Sequence, residues 1–247
     1  MGNWWQNNPQ RALANNSACY TRTPDIGLFM HEWKALFDSK SGERGIFNRE
    51  AAKKKVAENG RRDPEHDFGT NPCSEIILRP YQFCNLTEVV IRATDGEDDL
   101  KRKVRIAATL GTYQSTLIDI KYLRKIWRQN TEEERLLGVS LTGIMDNKLT
   151  IQADEELLRS MREVSVVTNK DLAKKLKIPQ STATTCIKPS GTVSQLVDSA
   201  SGIHTRHSEY YVRTVRGDNK DPLTEMMKDQ GIPSEPDMMN PTSVSVF

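Results

Sequence analysis

Residues 71–78 read Asn71-Pro72-Cys73-Ser74-Glu75-Ile76-Ile77-Leu78. The interpretation of both the architecture and the chemistry follows from this segment. An amide, a thiol and a carboxylate alternate there at steps of two, and alternate side chains of an extended segment point the same way. Pro72 fixes its own φ and disfavours helix for the residue before it, which predicts an extended or looped backbone. Asn71, Cys73 and Glu75 are therefore predicted to face one small substrate together, as a ribose-handling site.

The alternative interpretation of Cys73 is a buried structural thiol. Free cysteine behaves as a small hydrophobe, and an Asn-x-Cys-x-Glu pattern arises by chance in roughly one such chain in a hundred. The longer string weakens this alternative, because a second thiol, Cys84, follows eleven residues after the first. The continuation reads Arg79-Pro80-Tyr81-Gln82-Phe83-Cys84-Asn85-Leu86-Thr87-Glu88-Val89.

Residues 71–89 closely resemble the active-site segment of ribonucleotide reductases, above all of the monomeric, adenosylcobalamin-dependent (class II) ribonucleoside-triphosphate reductases. The resemblance implies an α/β fold that is part of the family's ten-stranded α/β barrel, incomplete here, with a central active-site finger loop. It extends over nearly the whole chain, so residues 1–247 are expected to form a single partial catalytic barrel domain. The family's N-terminal barrel half and its C-terminal redox tail are expected to be absent from this sequence.

The resemblance also implies a role for each residue of the motif. Cys73 would become a thiyl radical that takes the 3′ hydrogen of the nucleotide, and Glu75 would act as general base on the 3′ hydroxyl. Asn71 would position the ribose hydroxyls. Cys84 would supply one of two reducing equivalents and form a disulfide with a partner thiol that is expected to lie outside this chain.

A second loop follows a β-branched run at residues 181–187 and reads Lys188-Pro189-Ser190-Gly191-Thr192-Val193-Ser194. Gly191 allows the backbone to approach a ligand closely, and the amides after it are suited to hold phosphate at a helix N-terminus. Such turns are common, so the pattern by itself is weak evidence. Because the reductases have a matching substrate-phosphate loop after a matching strand, residues Pro189 to Thr192 are predicted to bind the substrate phosphate.

The implied activity is reduction of ribonucleotides, with ribonucleoside triphosphates as substrates, to 2′-deoxyribonucleotides for DNA synthesis. Adenosylcobalamin would be the cofactor, and thioredoxin or a similar dithiol the reductant. The cofactor is inferred from the resemblance of the sequence around Cys84 and at residues 98–143, not from a cobalamin-binding motif. A fragment of a class I ribonucleoside-diphosphate reductase large subunit remains an alternative, because its tyrosine relay would lie in the absent tail. The glycyl-radical branch fits poorly, because Glu75 occupies a carboxylate position that this branch is expected to lack.

A different class of function also remains open, because the sequence corresponds to only part of a reductase. The chain would then be a non-catalytic or split-gene fragment, active only with a complementary reductase segment that carries the missing barrel half. On this interpretation the chain by itself is inactive, and exposed sheet edges and apolar patches are predicted on its surface.

The composition limits the partners and the compartment. The chain has 247 residues, of which 28% are charged, and its formal net charge is +2, so no basic excess argues for nucleic-acid binding. No apolar run reaches membrane-spanning length, and the N-terminus lacks the charged and apolar regions of a signal peptide. The sequence therefore predicts no membrane partner and a cytoplasmic location.

Four cysteines, at positions 19, 73, 84 and 186, form no Cys-x-x-Cys pair and have no zinc-finger spacing with the four histidines. No metal site is predicted. In a reducing compartment such scattered thiols are free, catalytic or redox-cycling rather than paired in structural disulfides. Cys19 is interpreted as a packed thiol rather than the redox partner of Cys84, and the sequence leaves the role of Cys186 open.

Periodicity and turn signals also predict the main elements. Helices are predicted at residues 24–37, 49–59, 98–127, 154–177 and 221–230. Strands are predicted at residues 85–91, 136–143, 181–187 and 210–216. The apolar residues of the first helix are interpreted as core, and Thr131 with Glu134 as a capping box that begins a further short helix.

Overall fold

The computed structural model describes residues 8, 10–11, 14–39, 45–238 and 240–247. The first six residues, whose sequence lacks a signal-peptide pattern, lie outside these ranges. The chain divides into two compact units, residues 1–205 and residues 206–247.

The first unit alternates helices and short strands. Its helices are α1 Ile26–Ser39, α2 Arg49–Asn59, α3 Glu97–Gln114, α4 Lys125–Glu134, α5 Lys148–Ile151, α6 Glu155–Leu176 and α7 Thr192–Leu196, with a 3₁₀ turn at Ile144–Asp146. Its strands are β1 Ala18–Tyr20, β2 Ile46–Asn48, β3 Gly69–Thr70, β4 Ile77–Leu78, β5 Asn85–Val90 and β6 Leu137–Thr142.

The central strand pair of the first unit joins β5 and β6 in parallel over six residue pairs, beginning with Asn85 opposite Leu137. The predicted strand at 181–187 is reduced to one parallel bridge, between Thr185 and Val139, on the other edge of β6. Parallel neighbours need long crossover connections, and helices supply them here. This order of strands and helices agrees with the α/β architecture that the sequence predicts.

Helices α3 and α6 pack against each other, and α3 also packs against β5 and β6. The apolar side chains between these elements form the main core, which consists of Val89, Ile91, Leu100, Val104, Ala107, Ala108, Val139, Leu157 and Met161. The helical members recur at steps of three and four, the spacing that places side chains on one face of a helix. The amphipathic pattern at 154–177 is thus confirmed as α6, which the side chain of Asp154 caps by accepting from the Leu157 amide at 2.9 Å.

Helix α2 begins and ends at the residues that the sequence predicts. The Asn48 side chain accepts a hydrogen bond from the Ala51 amide at 3.0 Å and caps the first turn. Gly60 follows the last turn at φ 61°, and its amide donates to the Ala57 carbonyl at 3.1 Å. A left-handed residue after the helix favours glycine, so both ends are set by local sequence.

The prediction of one helix over residues 98–127 is wrong in its second half. Helix α3 ends at Gln114, and the chain is not helical again until Lys125. The guanidinium of Arg135, a buried residue, donates to the Ser115 carbonyl at 2.7 Å at the end of α3. A contact from a distant part of the chain thus satisfies the helix end, in place of a glycine or proline signal.

Two further local predictions are wrong. Thr131 does not begin a helix but lies buried inside α4, where its hydroxyl donates to the Trp127 carbonyl at 2.8 Å. The strand predicted at 210–216 is not formed over residues 210–215, which are exposed, and the strand of this region begins only at Arg216.

The apolar residues of α1 do not form a core. Ile26, Met30, Trp33 and Phe37 are each more than half exposed, which contradicts their interpretation as buried residues. Helix α3 also carries exposed apolar side chains on the face turned from the core, namely Ile106, Leu110 and Tyr113. The prediction of exposed apolar patches is therefore confirmed. Among the described residues, no helix combines the length and the apolarity that crossing a membrane requires.

The second unit is a small α+β arrangement. Its strands are β7 Arg216–Asp218, β8 Glu235–Pro236 and β9 Val244–Val246, with β9 between the other two and antiparallel to both. Its helix, α8 Pro222–Asp229, begins after Asp221, whose side chain accepts from the Leu223 amide at 2.9 Å. The predicted helix at 221–230 is thus confirmed.

Candidate active site

The motif predicted to carry the chemistry forms a hairpin, residues 69–78, which we call the finger hairpin. Strands β3 and β4 pair antiparallel at its open end. Asn71 closes the turn: its side-chain oxygen accepts from the Ile76 amide at 3.1 Å, and its own amide donates to the Ile76 carbonyl at 3.3 Å. The oxygen of the Asn71 amide is therefore engaged within the hairpin, and its NH₂ group is the part suited to contact a substrate.

The tip of the finger hairpin, residues 72–74, presents the thiol that is predicted to carry the radical. Cys73 is exposed there, and Ser74 turns the chain at φ 65°. Asn15 reaches the tip from the N-terminal region, and its side chain donates to the Pro72 carbonyl at 3.1 Å and to the Ser74 hydroxyl at 2.7 Å. These two hydrogen bonds fix a left-handed backbone that a serine adopts at some cost.

The prediction that Asn71, Cys73 and Glu75 face one substrate by alternating along an extended segment is wrong in its geometry. The turn at Ser74 interrupts the alternation, so the Cys73 side chain is exposed while the Glu75 side chain is only 2% exposed. Nevertheless, Cys73 and Glu75 both lie close enough to Lys188 to act on its ionisation.

Glu75 is the buried carboxylate of the site. Its Oε1 atom forms an ion pair with the Lys188 ammonium at 3.0 Å, and its Oε2 atom is buried without a hydrogen-bond partner among the described residues. Burial lowers the pKa of Lys188, but the hydrogen bond and the charge of Glu75 outweigh this effect, so the pKa is raised. The pair thus joins two segments that are 113 residues apart in the sequence.

The thiols of Cys84 and Cys186 lie near the Glu75 carboxylate, whose charge acts on both. Burial raises the pKa of the Cys84 thiol, and the charge of Glu75 raises it further, while Lys188 opposes the change. Burial, followed by the charges of Glu75 and Cys84, raises the pKa of Cys186 to about 12. Both groups are therefore protonated thiols at neutral pH, a form that can give up a hydrogen atom but is a poor nucleophile.

A cavity of about 160 Å³ adjoins the buried carboxylate. Glu75 lines it together with Leu137 of β6 and Thr185 of the adjacent segment. The cavity therefore lies where the finger hairpin meets the parallel strands. Lys55 and Arg62 line it as well as the carboxylate, whereas the described side chains of Cys73 and Lys188 are not among its lining residues. A few polar groups in a mostly apolar concavity are typical of small-molecule sites.

The predicted phosphate loop lies directly after Lys188. Ser190 is buried, its hydroxyl oxygen accepts from the Ser194 amide at 3.0 Å, and its carbonyl accepts from the Ser194 hydroxyl at 2.9 Å. Gly191 and Thr192 are exposed at the start of the short helix α7. The role predicted for Pro189 to Thr192 stays a prediction, in which Ser190 shapes the loop and Gly191 and Thr192 face the ligand.

The base of the finger hairpin is anchored by a buried polar network. The Arg62 guanidinium forms an ion pair with Glu134 at 2.8 Å, and the two side chains are 6% and 5% exposed. Arg62 also donates to the Ile77 carbonyl of β4 at 2.8 Å and to the Gln82 side chain at 3.0 Å. Gln82 in turn donates to Glu134, and the Arg62 guanidinium lies 4.6 Å from the centre of the Phe68 ring.

A second layer of the same network joins the segment after the hairpin to α4. Arg79 donates to the Glu133 carboxylate and to the Asn130 side chain, both at 2.8 Å. Asn130 returns hydrogen bonds to the Pro80 carbonyl at 2.9 Å and the Tyr81 carbonyl at 3.1 Å. The chain between the predicted thiols is therefore fixed from both sides to one helix.

Asn71, Cys73 and Glu75 lie on the finger hairpin, and Cys84 lies close enough to Glu75 for the carboxylate to raise the pKa of its thiol. The fold also brings in residues that sequence reasoning missed. Lys188 stands inside the quoted loop motif, yet no local spacing relates it to Glu75. Asn15 and Cys186 likewise reach the site only through the fold. The sequence shows only that Asn15 has a polar amide and Cys186 a thiol. No spacing in the sequence indicates that either contacts the site.

Curated relatives support the predicted resemblance. The adenosylcobalamin-dependent ribonucleoside-triphosphate reductase of Lactobacillus gasseri is 29% identical over 206 residues, which cover 72% of this chain and 27% of the relative. The enzyme of the same name from Lactobacillus helveticus is 26% identical over 274 residues, which cover 98% of this chain and 35% of the relative. The chain thus spans about a third of the length of these relatives. No protein-family model matches it.

A solved structure shows the same fold. The crystal structure of a B-12 dependent (class II) ribonucleotide reductase superposes with a TM-score of 0.58 and 20% identity, over 93% of this chain and 40% of that one. Together with the curated relatives, this likeness confirms the predicted resemblance to class II reductases. The described elements form part of an α/β barrel, which confirms the predicted fold class.

Proposed function

We propose that this chain forms the catalytic segment of an adenosylcobalamin-dependent ribonucleoside-triphosphate reductase, which converts ribonucleotides to 2′-deoxyribonucleotides by thiyl-radical chemistry. One observation carries the proposal. The finger hairpin places an exposed thiol, Cys73, and a buried carboxylate, Glu75, within electrostatic reach of Lys188, the residue that precedes the predicted phosphate loop. The proposed radical carrier, the proposed base and the predicted phosphate loop therefore adjoin the same lysine.

Cys73 is the proposed radical carrier because the hairpin exposes its sulfur while fixing the backbone around it. When bound, adenosylcobalamin would supply the radical that removes the hydrogen atom of the Cys73 thiol. The exposed position of Cys73 at the tip fits a bulky cofactor, since the thiol can be approached from outside the hairpin. The resulting thiyl then takes the 3′ hydrogen atom of the ribose, which regenerates the S–H bond and leaves a carbon radical.

Glu75 is the proposed general base. Its Oε2 atom, which is buried without a hydrogen-bond partner among the described residues, is the proposed acceptor for the proton of the 3′ hydroxyl. The NH₂ group of Asn71 would hold a ribose hydroxyl, and orientation of this kind can supply several kcal/mol of rate acceleration. Loss of the 2′ hydroxyl as water follows once the 3′ proton has been accepted.

Cys84 is the proposed source of reducing equivalents. Its raised pKa keeps it as a thiol at neutral pH, which is the form that can deliver hydrogen to C2′. The balance requires a second thiol: two S–H groups are oxidised to one disulfide while the ribonucleotide is reduced and water is released. We assign the partner thiol to a complementary reductase segment and the regeneration of the dithiol to thioredoxin or a similar reductant.

The reaction can be tested by complementation. The purified chain is assayed with adenosylcobalamin, a ribonucleoside triphosphate and a dithiol, by itself and together with the remaining segments of a class II relative. Because the chain spans about a third of its relatives, we expect deoxynucleotide only in the completed assembly. Cys73→Ala should abolish the product, and Glu75→Gln should lower its rate by about 10² to 10⁴, the range for loss of a general base.

The matched control is Cys19→Ala, which removes another exposed thiol on β1. Its product yield should equal that of the unchanged chain. Full activity of Cys73→Ala in the completed assembly would contradict the assignment of the radical carrier. A completed assembly without product, although correctly folded, would contradict the proposed activity.

A further inference from the structure

Lys188 joins the two halves of the proposed site through one side chain. Its ammonium contacts Glu75 Oε1 at 3.0 Å, and its backbone continues directly into the predicted phosphate loop. The Lys188 side chain is 31% exposed, so it reaches the buried carboxylate from the rim of the site. No role for Lys188 follows from the sequence motif, which places it only before Pro189.

The backbone at Lys188 is fixed from two directions. Its amide donates to the hydroxyl of Ser140, a buried residue of β6, at 2.8 Å. Its carbonyl lies so close to Gly202 that a Cβ atom there would approach it to 2.8 Å, and Gly202 adopts φ 53°. The start of the lysine side chain is therefore determined by the barrel strand and the loop packed against it.

The two oxygens of the Glu75 carboxylate differ in their contacts. One oxygen is engaged by the ammonium, whereas Oε2 is buried and accepts no hydrogen bond from the described residues. A buried acceptor without a donor costs free energy, so its presence calls for a donor supplied from elsewhere. A hydroxyl group of a bound substrate would meet that requirement.

We propose that Lys188 is a positioning residue of the reductase site, which holds Glu75 Oε1 so that Oε2 faces the hydroxyl of the ribose. The inference rests on the proposed function and adds to it. Lys188 also precedes the predicted phosphate loop directly. The orientation of Glu75 and the position of the loop therefore both depend on the backbone at Lys188. Loss of the ammonium would leave the carboxylate buried without a counter-charge and free to rotate away from the substrate.

The ion pair itself is tested on the chain without any activity. The rate of alkylation of Cys84 by iodoacetamide is followed from pH 7 to 10 by peptide mass spectrometry. Lys188→Met removes a charge that lowers the pKa of Cys84, so alkylation should shift to higher pH. Glu75→Gln removes a charge that raises it, so alkylation should shift to lower pH.

Two variants serve as controls for this measurement. Lys188→Arg keeps the charge and should leave the pH profile of Cys84 close to that of the unchanged chain. Lys170→Met removes an exposed lysine on α6 and should have no effect. An unchanged Cys84 profile in Lys188→Met would overturn the inference, because the lysine would then not act on the carboxylate and thiol as the geometry requires.

The positioning role is tested in the completed assembly. Lys188→Met should lower kcat between about tenfold and a hundredfold, the effect expected when a reacting group is misplaced, with a smaller change in KM. Lys188→Arg should retain most of the kcat of the unchanged chain. This result would not be expected if Lys188 only supported folding. An unchanged kcat in Lys188→Met, with the unchanged chain active, would overturn the positioning role and leave the proposed function standing. Absence of product from the unchanged assembly would instead overturn the proposed function and, with it, this role.

Discussion

The base and the tip of the finger hairpin are stabilised in opposite ways. At the base, Arg62 and Glu134 are almost fully buried and paired with each other, both are hydrogen-bonded to Gln82, and Arg62 also donates to the hairpin backbone at Ile77. At the tip, Cys73 is exposed, and two hydrogen bonds from Asn15 are the contacts that fix the turn from outside the hairpin. The same ten-residue element therefore carries a heavily anchored end and a lightly held end.

The difference shows how a reactive group can be both accessible and placed. A thiol that meets a large cofactor has to be exposed, so it cannot be positioned by burial of its own side chain. The position of the Cys73 thiol is set instead by the buried network at the base, because the short hairpin holds the tip at a fixed distance from that network.

The largest expected effect is at the base. Arg62→Met removes the nearer counter-charge of the buried Glu134 carboxylate and leaves only Arg79, at 3.8 Å, among the described residues. Breaking a buried pair in this way costs about 3–5 kcal/mol. The free energy of unfolding, measured by urea denaturation with intrinsic fluorescence, should fall by that amount.

The control for the base is an exposed ion pair. Arg159→Met removes the partner of Glu155 on the surface of α6, where both side chains are about three-quarters exposed. Such pairs contribute about 0.5 kcal/mol or less. A loss of under about 1 kcal/mol in Arg62→Met would show that the base is not the anchored end.

A smaller effect is expected where the hairpin packs onto the strands. A Cβ atom at Gly138 of β6 would lie 2.4 Å from the Leu86 side chain, 3.0 Å from the Cys186 sulfur and 3.1 Å from the Ile76 side chain. Gly138→Ala should therefore destabilise the chain by about 1–3 kcal/mol through overpacking, measured by the same denaturation experiment.

Gly69→Ala is the matched control, because no atom of the described residues, apart from Gly69 and its chain neighbours, lies within 4 Å of a Cβ atom at this position of β3. Its free energy of unfolding should change by about 0.5 kcal/mol or less. Equal effects of the two alanine substitutions would contradict the close packing of Ile76 on Gly138.

The smallest effect is expected at the tip. Asn15→Ala removes both hydrogen bonds to residues 72–74, which together should cost about 1 kcal/mol of local stability because they are exposed. Hydrogen exchange of the Ser74 and Ile76 amides should then be about fivefold faster, while the free energy of global unfolding changes little.

Asn16→Ala provides the comparison, since the neighbouring amide donates to the carbonyls of Arg11 and Ala14 rather than to the tip. Exchange at Ser74 and Ile76 should be unaffected in this variant. Loss of global stability in Asn15→Ala as large as in Arg62→Met would remove the distinction between the two ends.

Elements with local signals could be predicted from the sequence. Helix α2 is predicted at its observed ends, residues 49–59, and the structure shows that Asn48 and Gly60 cap them. Strands β5 and β6 were predicted to within a residue or two, because each is a short apolar run next to turn residues. The helix at 154–177 is predicted from its amphipathic periodicity and from Pro179 after its end, and the structure adds the cap at Asp154.

Features that depend on contacts between distant segments could not be predicted. Helix α3 ends at Gln114 because Arg135 reaches its last turn, and the intervening sequence holds no stop signal. The contact of Glu75 with Lys188 spans 113 residues, so no local spacing could indicate it. The site motif itself was found because its residues are contiguous, whereas the partner of its carboxylate was not.

The parallel pairing of β5 with β6 also determines how this chain reaches its native state. The Asn85 side chain donates to the Leu136 carbonyl, 51 residues further along the chain, at the start of the strand pair. The intervening polypeptide has to loop back before the pair can form, and such non-local closure slows folding. Until then the apolar strand edges are open to other molecules, so the nascent chain is expected to need protection from aggregation during synthesis.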